Sequence, residues 1–174
     1  MSSPSTKDAE TIFQALDQLD HLLSATDETP QKVGFNELFS YAHNPKHVPS
    51  PALNNALMND LSVRRDLKRL LSKQALAHLP RAAAASTGDI VEREADGFRL
   101  TLKVSKADET QIYLLIEAID RSESPSLVFV QEEDGPIYRL VIDDFYDGEA
   151  QILLQSDNEV LKALRKAKSE VILR

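Results

Sequence analysis

The histidines are the residues whose chemistry could most directly support catalysis or metal binding. The chain has four of them, His21, His43, His47 and His78. His43 and His47 are four residues apart, the spacing that places two metal ligands on one face of a helix. Pro45 lies between them, however, and interrupts such a helix. Because the chain also contains no cysteine, we expect neither a metal site nor a cofactor.

Carboxylate side chains are concentrated at two turns of the C-terminal half. One turn carries Glu132, Glu133 and Asp134, and the other carries Asp143, Asp144, Asp147 and Glu149. Oxygen-rich loops of this kind can bind calcium, but the ligand order of an EF-hand loop is missing. We expect solvated hairpin turns here. Binding of an ion or a small molecule, by these turns or by a sheet face, is the alternative function.

The remaining motifs do not indicate an enzyme. No Gly-x-Ser-x-Gly segment is present, and the five glycines are isolated, so they cannot form a phosphate-binding loop. All four histidines precede residue 79. An enzymatic centre would therefore need a cleft that joins one of them to carboxylates of the C-terminal half. We predict a non-enzymatic protein.

The charge of the chain is distributed unevenly. Residues 87–174 account for the whole formal net charge of -8, whereas residues 1–86 are neutral overall. The single dense basic patch lies in the neutral half and consists of Arg64, Arg65, Lys68, Arg69 and Lys73. An acidic chain without interleaved aromatic residues is not typical of nucleic-acid binding. The patch is therefore either a solvated face that pairs with the acidic half or a surface for an acidic protein partner.

Apolar spacing predicts helices up to residue 80. Ile12, Leu16, Leu19 and Leu23 form the apolar stripe of a helix that begins near Asp8. Three further helices are predicted: residues 36–43, a short helix that starts at Pro51 with Ser50 as its N-cap, and a longer one from Asp60 or Ser62 to Pro80.

Beyond residue 88 the apolar period changes to two, which is typical of strands. Phe98–Val104 alternates apolar and polar residues, and 111–119 is apolar at nearly every position, so we expect a central strand covered on both faces. Further strands are predicted at 127–130, 137–142, 150–154 and 171–173, with one helix capped by Asp157.

These elements predict an α+β protein in which a helical N-terminal half precedes a mostly antiparallel β-sheet or small sandwich with one helix near the C-terminus. The expected domains are a helical domain over residues 1–80, a connector over 81–88 and an acidic β-rich domain over 89–174. No signal peptide and no apolar run long enough to span a membrane is visible. We expect a cytoplasmic protein, and its oligomeric state stays open.

Residues 37–70 resemble the helical N-terminal domain of bacterial anti-sigma factors. The resemblance is carried by Glu37-Leu38-Phe39-Ser40-Tyr41-Ala42, a proline-broken gap, and Leu53-x3-Leu57-x2-Asp60-x2-Val63-Arg64-x2-Leu67-x2-Leu70. The two cysteines that bind zinc in that family would fall on Asp60 and Val63, so the zinc ligands are absent, as they are in zinc-less members.

The resemblance implies that the helical half binds a sigma factor or a similar regulator. The partner-binding residues it implies are Leu38, Tyr41 and Leu57 together with the basic residues Arg64, Arg65, Lys68 and Arg69. The leading hypothesis is therefore a cytoplasmic bacterial protein that acts in transcriptional regulation by binding another protein, without nucleic-acid or membrane contact of its own.

Overall fold

The computed structural model describes residues 32–82 and 88–174. The helix predicted to begin near Asp8 and most of the predicted connector lie outside these residues. The contacts place a boundary between Lys32 and Val33, and Val33–Arg174 form one compact unit. The helices after Val33 and all the described strands therefore share this unit, although the sequence suggests a boundary at 81–88.

Four helices are present in the described residues, and side-chain caps define where three of them begin. They are α1 (Phe35–His43), α2 (Pro51–Asn59), α3 (Leu61–Gln74) and α4 (Glu159–Arg165). The Ser50 hydroxyl accepts a hydrogen bond from the Leu53 N–H, which confirms the predicted N-cap of α2. The Asp60 carboxylate caps α3 in the same way. The cap of α4 is Asn158 rather than the predicted Asp157.

The third helix ends earlier than predicted. It stops at Gln74, and Ala77–Leu79 form strand β1 instead of a last helical turn before Pro80. These three residues pair antiparallel with the C-terminal strand. Ala77 and Leu79 are almost fully buried between the sheets. The pairing partners are 92 to 96 residues away, so local helix propensity is overridden by a contact that no local pattern reveals.

The strands form two antiparallel four-stranded sheets. They are β1, β2 (Glu92–Ala95), β3 (Phe98–Val104), β4 (Gln111–Ala118), β5 (Leu127–Gln131), β6 (Ile137–Val141), β7 (Glu149–Gln155) and β8 (Glu170–Leu173). The first sheet has the order β1-β8-β5-β6, and the second has the order β2-β3-β4-β7. Asp147–Gly148 and Asp96–Gly97 form tight turns in which both residues have positive φ, as two-residue hairpins require.

The first sheet is buried on both faces, because it lies between two hydrophobic cores. Along β5, Val128 and Val130 point into a core shared with the second sheet and α4. Leu127 and Phe129 point into a second core formed with α1, α2 and α3. Strand β8 alternates in the same way, with Ile172 on the helix side. This layer arrangement explains why the two strands are apolar at nearly every position.

The strand that we expected to be covered on both faces is a different one. Strand β4 is central in the second sheet, but only Ile112, Leu114 and Ile116 are buried. Tyr113 and Leu115 lie on the outer face and are partly exposed. A continuous apolar run therefore did not distinguish a strand with two covered faces from one with a single covered face.

The prediction of an α+β fold with antiparallel sheets is confirmed. Within the described residues, no helix is both long enough and apolar enough to cross a lipid bilayer.

Candidate protein-interaction surface

An apolar groove runs between α1 and α3 on the surface of the helical layer. It encloses about 470 Å³ and is lined by Val33, Phe35, Leu38, Val63, Asp66, Arg69, Leu70 and Lys73. We call these eight residues the helix groove. The α3 members are spaced by three or four residues and so share one helix face. Its floor is apolar, while two of the α3 side chains on its rim, Arg69 and Lys73, are cationic.

Aromatic side chains extend the apolar surface along α1. Phe35 is 64% exposed, and its ring lies 5.9 Å from that of Phe39, one helical turn further on. The Phe39 ring in turn stacks on the imidazole of His43 at 3.9 Å. The His43 imidazole also bonds to the Gln74 side chain, which joins the C-terminal ends of α1 and α3. Exposed large aromatic residues beside a groove are typical of protein-binding surfaces.

The five residues of the predicted basic patch do not form one continuous cationic surface. The Arg64 guanidinium turns inward and donates to the Leu57 and Met58 carbonyls, which ties α3 to the end of α2. Lys68 binds Glu170 on β8 at 2.8 Å. Arg69 and Lys73 line the helix groove, and Arg65 is exposed.

The three apolar residues implied by the resemblance are buried beneath this surface. Leu38, Tyr41 and Leu57 all belong to the core between the helices and the first sheet. The Tyr41 ring packs edge-on against Phe129 with centroids 6.0 Å apart, and the Arg139 guanidinium lies 4.9 Å from its centre. Burial raises the pKa of the Tyr41 hydroxyl. Of the three, Leu38 is the one that also lines the helix groove.

The structure joins one histidine to a carboxylate of the strand-rich half. The Glu170 side chain is only 11% exposed and accepts hydrogen bonds from Lys68 at 2.8 Å, His78 Nε2 at 3.0 Å and Arg81 at 3.3 Å. Burial raises the pKa of Glu170, but the bonds from Lys68 and His78 outweigh it, so the pKa lies below its ordinary value. Both carboxylate oxygens are occupied, which fits an ion-pair cluster that fastens α3 and β1 to β8.

The cavity beside this cluster is too small for most substrates. It holds about 100 Å³ and is lined by Lys68, Ser72, Ala75, His78, Glu170 and Ile172, whereas ligand pockets usually enclose about 300–1,000 Å³. The Ser72 hydroxyl donates to the Arg69 carbonyl rather than to His78. The arrangement therefore lacks the nucleophile–base bond that acyl transfer requires.

The other predicted ligand groups are dispersed. Helix α1 ends at His43, so His43 and His47 do not share a helix face. No group of three or more metal-ligating side chains comes together within residues 32–82 and 88–174.

A cleft of about 360 Å³ lies on the outer face of the second sheet and includes part of the acidic turn. The carboxylates of Glu117, Asp144 and Glu149 line it together with Tyr146, whose side chain is 84% exposed.

Comparison with protein-family models, with curated proteins and with solved structures found no significant match for this chain.

Sequence reasoning did not recognise Phe35, Val63 and Leu70 as groove residues. The signal that could have separated them is the pair Phe35 and Phe39 at i and i+4, a second apolar stripe offset from the buried Leu38 and Ala42. Two stripes on a nine-residue helix indicate two apolar surfaces, one packed in the core and one exposed.

Proposed function

We propose that the protein is non-enzymatic and acts by binding another protein through the helix groove. The observation that carries this proposal is the combination of an apolar floor, an exposed Phe35 ring and a cationic rim in one groove. Burial of apolar surface on binding would stabilise the complex. The partner that fits is an amphipathic helix with apolar anchors at i, i+3 or i+4 and i+7, since this is how helices fill such grooves.

The charges of the groove define the polar side of that partner. Arg69 and Lys73 stand on the rim, and Asp66 already forms an ion pair with Arg69 at 3.4 Å. Carboxylates that flank the apolar stripe of the bound helix would meet these cations. Complementary charge of this kind chiefly increases the association rate and the specificity.

Because residues 37–70 resemble anti-sigma factors, a cytoplasmic sigma factor is the first partner to test. It supports a regulatory function in transcription. The described geometry adds a surface on the helical layer through which such binding could take place, while Tyr41 and Leu57 would contribute by holding α1 and α2 in position.

We expect Phe35→Glu to weaken partner binding at least tenfold, because it removes an aromatic anchor and places a charge in the groove. Leu61→Glu is the matched control, since Leu61 is exposed on α3 outside the groove. Affinity capture from a native extract with wild type and both variants, followed by titration of the captured protein, measures the effect. Equal binding by all three proteins would refute the assignment of the groove.

A second pair of substitutions measures how much the charge of the groove contributes to partner binding. Lys73→Glu should slow association and weaken binding, whereas Lys103→Glu, the same charge change on the second sheet, should leave both unchanged. The difference between the two variants should shrink as salt is added. A partner that binds more tightly to Lys73→Glu would show that its contacting segment is basic rather than acidic.

Binding of a small cation is a second candidate function, favoured by the cleft around Tyr146. An exposed aromatic ring beside three carboxylates suits an organic ammonium ion. Choline or spermidine should then raise the melting temperature of the wild type but not of Tyr146→Ala, because a ligand that binds the native state stabilises it. An unchanged melting temperature with both probes would remove this candidate.

A further inference from the structure

The helix groove has a direction, because α1 and α3 end together at one end of it. The imidazole of His43, the last residue of α1, bonds to the side chain of Gln74, the last residue of α3. Val33 and Phe35, where α1 begins, and Val63, in the first turn of α3, also line the groove. Both helices therefore begin toward one end of the groove and finish at the other.

The groove follows α3 for about three helical turns. The α3 residues that line it are Val63, Asp66, Arg69, Leu70 and Lys73. The rise of an α-helix places Val63 and Lys73 about 15 Å apart along the axis. A bound helix of about ten residues would span this length. That is enough for apolar anchors at i, i+3 or i+4 and i+7.

Among the residues that the structure describes, the charged side chains that line the groove are ordered along α3. Asp66 lies in the first half of the helix, and Arg69 and Lys73 lie in the second half. Asp66 and Arg69 form an ion pair at 3.4 Å, but their side chains are 56% and 71% exposed, so a partner can replace this weak contact. The groove is therefore negative toward Val63, at what we call the Val63 end, and positive at the Lys73 end.

The dipoles of α1 and α3 favour one direction for a third helix. The C-terminal ends of both helices carry partial negative charge, and they meet at the Lys73 end of the groove. A helix that lies antiparallel to them places its positive N-terminal end beside these C-terminal ends. Such a helix needs carboxylates in its first turn, because Arg69 and Lys73 would otherwise face its positive end.

The order of charge distinguishes the two possible orientations of a bound helix. Helices commonly carry Asp or Glu in the first turn and Lys or Arg in the last, since these positions suit their own dipole. In the antiparallel orientation, the carboxylates of the first turn meet Arg69 and Lys73, and the cation of the last turn meets Asp66. In the parallel orientation each of these contacts would join like charges.

We propose that the partner segment is a helix antiparallel to α3, with carboxylates in its first turn against Arg69 and Lys73 and a cation in its last turn against Asp66. This inference rests on the proposed function of the groove. It gives Asp66 a role in specificity, because Asp66 attracts a cation of the partner and repels carboxylates at the Val63 end. Along the sequence of the partner segment, acidic residues come first, the apolar stripe follows, and a basic residue comes last.

A synthetic helical peptide tests the orientation on the full chain. The peptide has about 14 residues, with glutamates in the first turn, leucines at i, i+4 and i+7, and a lysine in the last turn. A hydrocarbon staple on the opposite face holds it as a helix. One version carries a benzophenone group at its N-terminal end, and another carries it at its C-terminal end. With wild type, the N-terminal group should label the Lys73 end and the C-terminal group the Val63 end, each with a preference of about fivefold.

An exchange of two charges provides the matched variant. Asp66→Lys combined with Lys73→Asp reverses the order of charge along the groove and leaves the net charge of the protein unchanged. The dipoles of α1 and α3 stay as they are, while the side chains now favour the opposite orientation. The preference of the N-terminal benzophenone group for the Lys73 end should therefore disappear or reverse.

Fluorescence anisotropy of the same peptide separates this inference from the proposed function. If the peptide binds wild type more tightly than Phe35→Glu, but its N-terminal group labels the Val63 end or both ends equally, the antiparallel orientation is wrong and the groove stands. A preference that persists after the charge exchange would overturn the role of Asp66. No binding to wild type at about 100 μM, or equal binding to Phe35→Glu, would contradict the groove itself and the orientation with it.

Discussion

Replacing Arg93 with methionine should destabilise the protein by about 3–5 kcal/mol. Arg93 is 8% exposed, and no carboxylate contacts it within the described residues. Its guanidinium instead donates to four backbone carbonyls, which belong to Pro80, Leu164, Lys166 and Ser169. Burial lowers the pKa of Arg93, but arginine stays protonated in proteins.

The cost is large because one side chain satisfies acceptors from three segments. Leu164 and Lys166 stand at the C-terminal end of α4, where carbonyls lack helical partners and a cation is favourable. Pro80 follows β1, and Ser169 precedes β8. Methionine fills similar space but leaves these carbonyls without a donor, and each buried unsatisfied acceptor costs about 1–3 kcal/mol. Lysine, without the planar fork, should restore only part of the stability.

Urea unfolding of the full chain measures this effect. Arg99→Met on the adjacent strand is the matched control, because Arg99 pairs with Glu94 and Glu117 on the exposed outer face. Surface ion pairs of this kind contribute little to stability, because solvent screens them. Similar losses for Arg93→Met and Arg99→Met would contradict the role given to Arg93.

Replacing Glu170 with glutamine should cost about 2 kcal/mol at neutral pH. Glu170 accepts three hydrogen bonds, two of them from the cationic side chains of Lys68 and Arg81, and buried bonds between charged groups contribute about 1.5–3 kcal/mol each. The full sum is not expected, since the side chains of Lys68, His78 and Arg81 are 40%, 48% and 39% exposed and can turn to water after the substitution.

The contribution of Glu170 should depend on pH with a defined sign. Its pKa in the folded protein lies below the ordinary value of 4.5. The folded state therefore binds a proton less readily than the unfolded chain. The stability difference between wild type and Glu170→Gln should therefore shrink as the pH falls below 4.5.

Unfolding curves at several pH values, with Glu94→Gln on the exposed face as the control, check this prediction. The control should change stability by less than about 1 kcal/mol at every pH. A difference between wild type and Glu170→Gln that grows in acid would contradict a lowered pKa for Glu170.

Elements whose signals are local could be predicted from the sequence. The cap at Ser50, the alternation of Phe98–Val104 and the turn at Asp147–Gly148 all depend on neighbouring residues. The strand at Ala77–Leu79 could not be predicted, because its partner β8 lies at the other end of the chain. For the same reason, the sequence did not show that β5 and β8, rather than β4, are covered on both faces.

The candidate surface was predicted only in part. Arg69 and Leu38 were expected to bind a partner, and both line the helix groove. The sequence could not show which basic residues line the groove and which form internal ion pairs, because Lys68 pairs with Glu170, which is 102 residues away. Helical periodicity shows which side chains share a face. It does not show which of them a distant strand will bind.

Site-specific photo-crosslinking from position 35 tests the central claim most directly. A benzophenone side chain in place of Phe35 lies at the helix groove, and the same group in place of Val48, an exposed residue of the α1–α2 loop, is the control. We predict one discrete adduct from position 35 and none from position 48. The attached segment should have apolar residues at helical spacing, flanked by carboxylates. Absence of an adduct at position 35, equal labelling from both positions, or attachment to a basic segment would contradict the account.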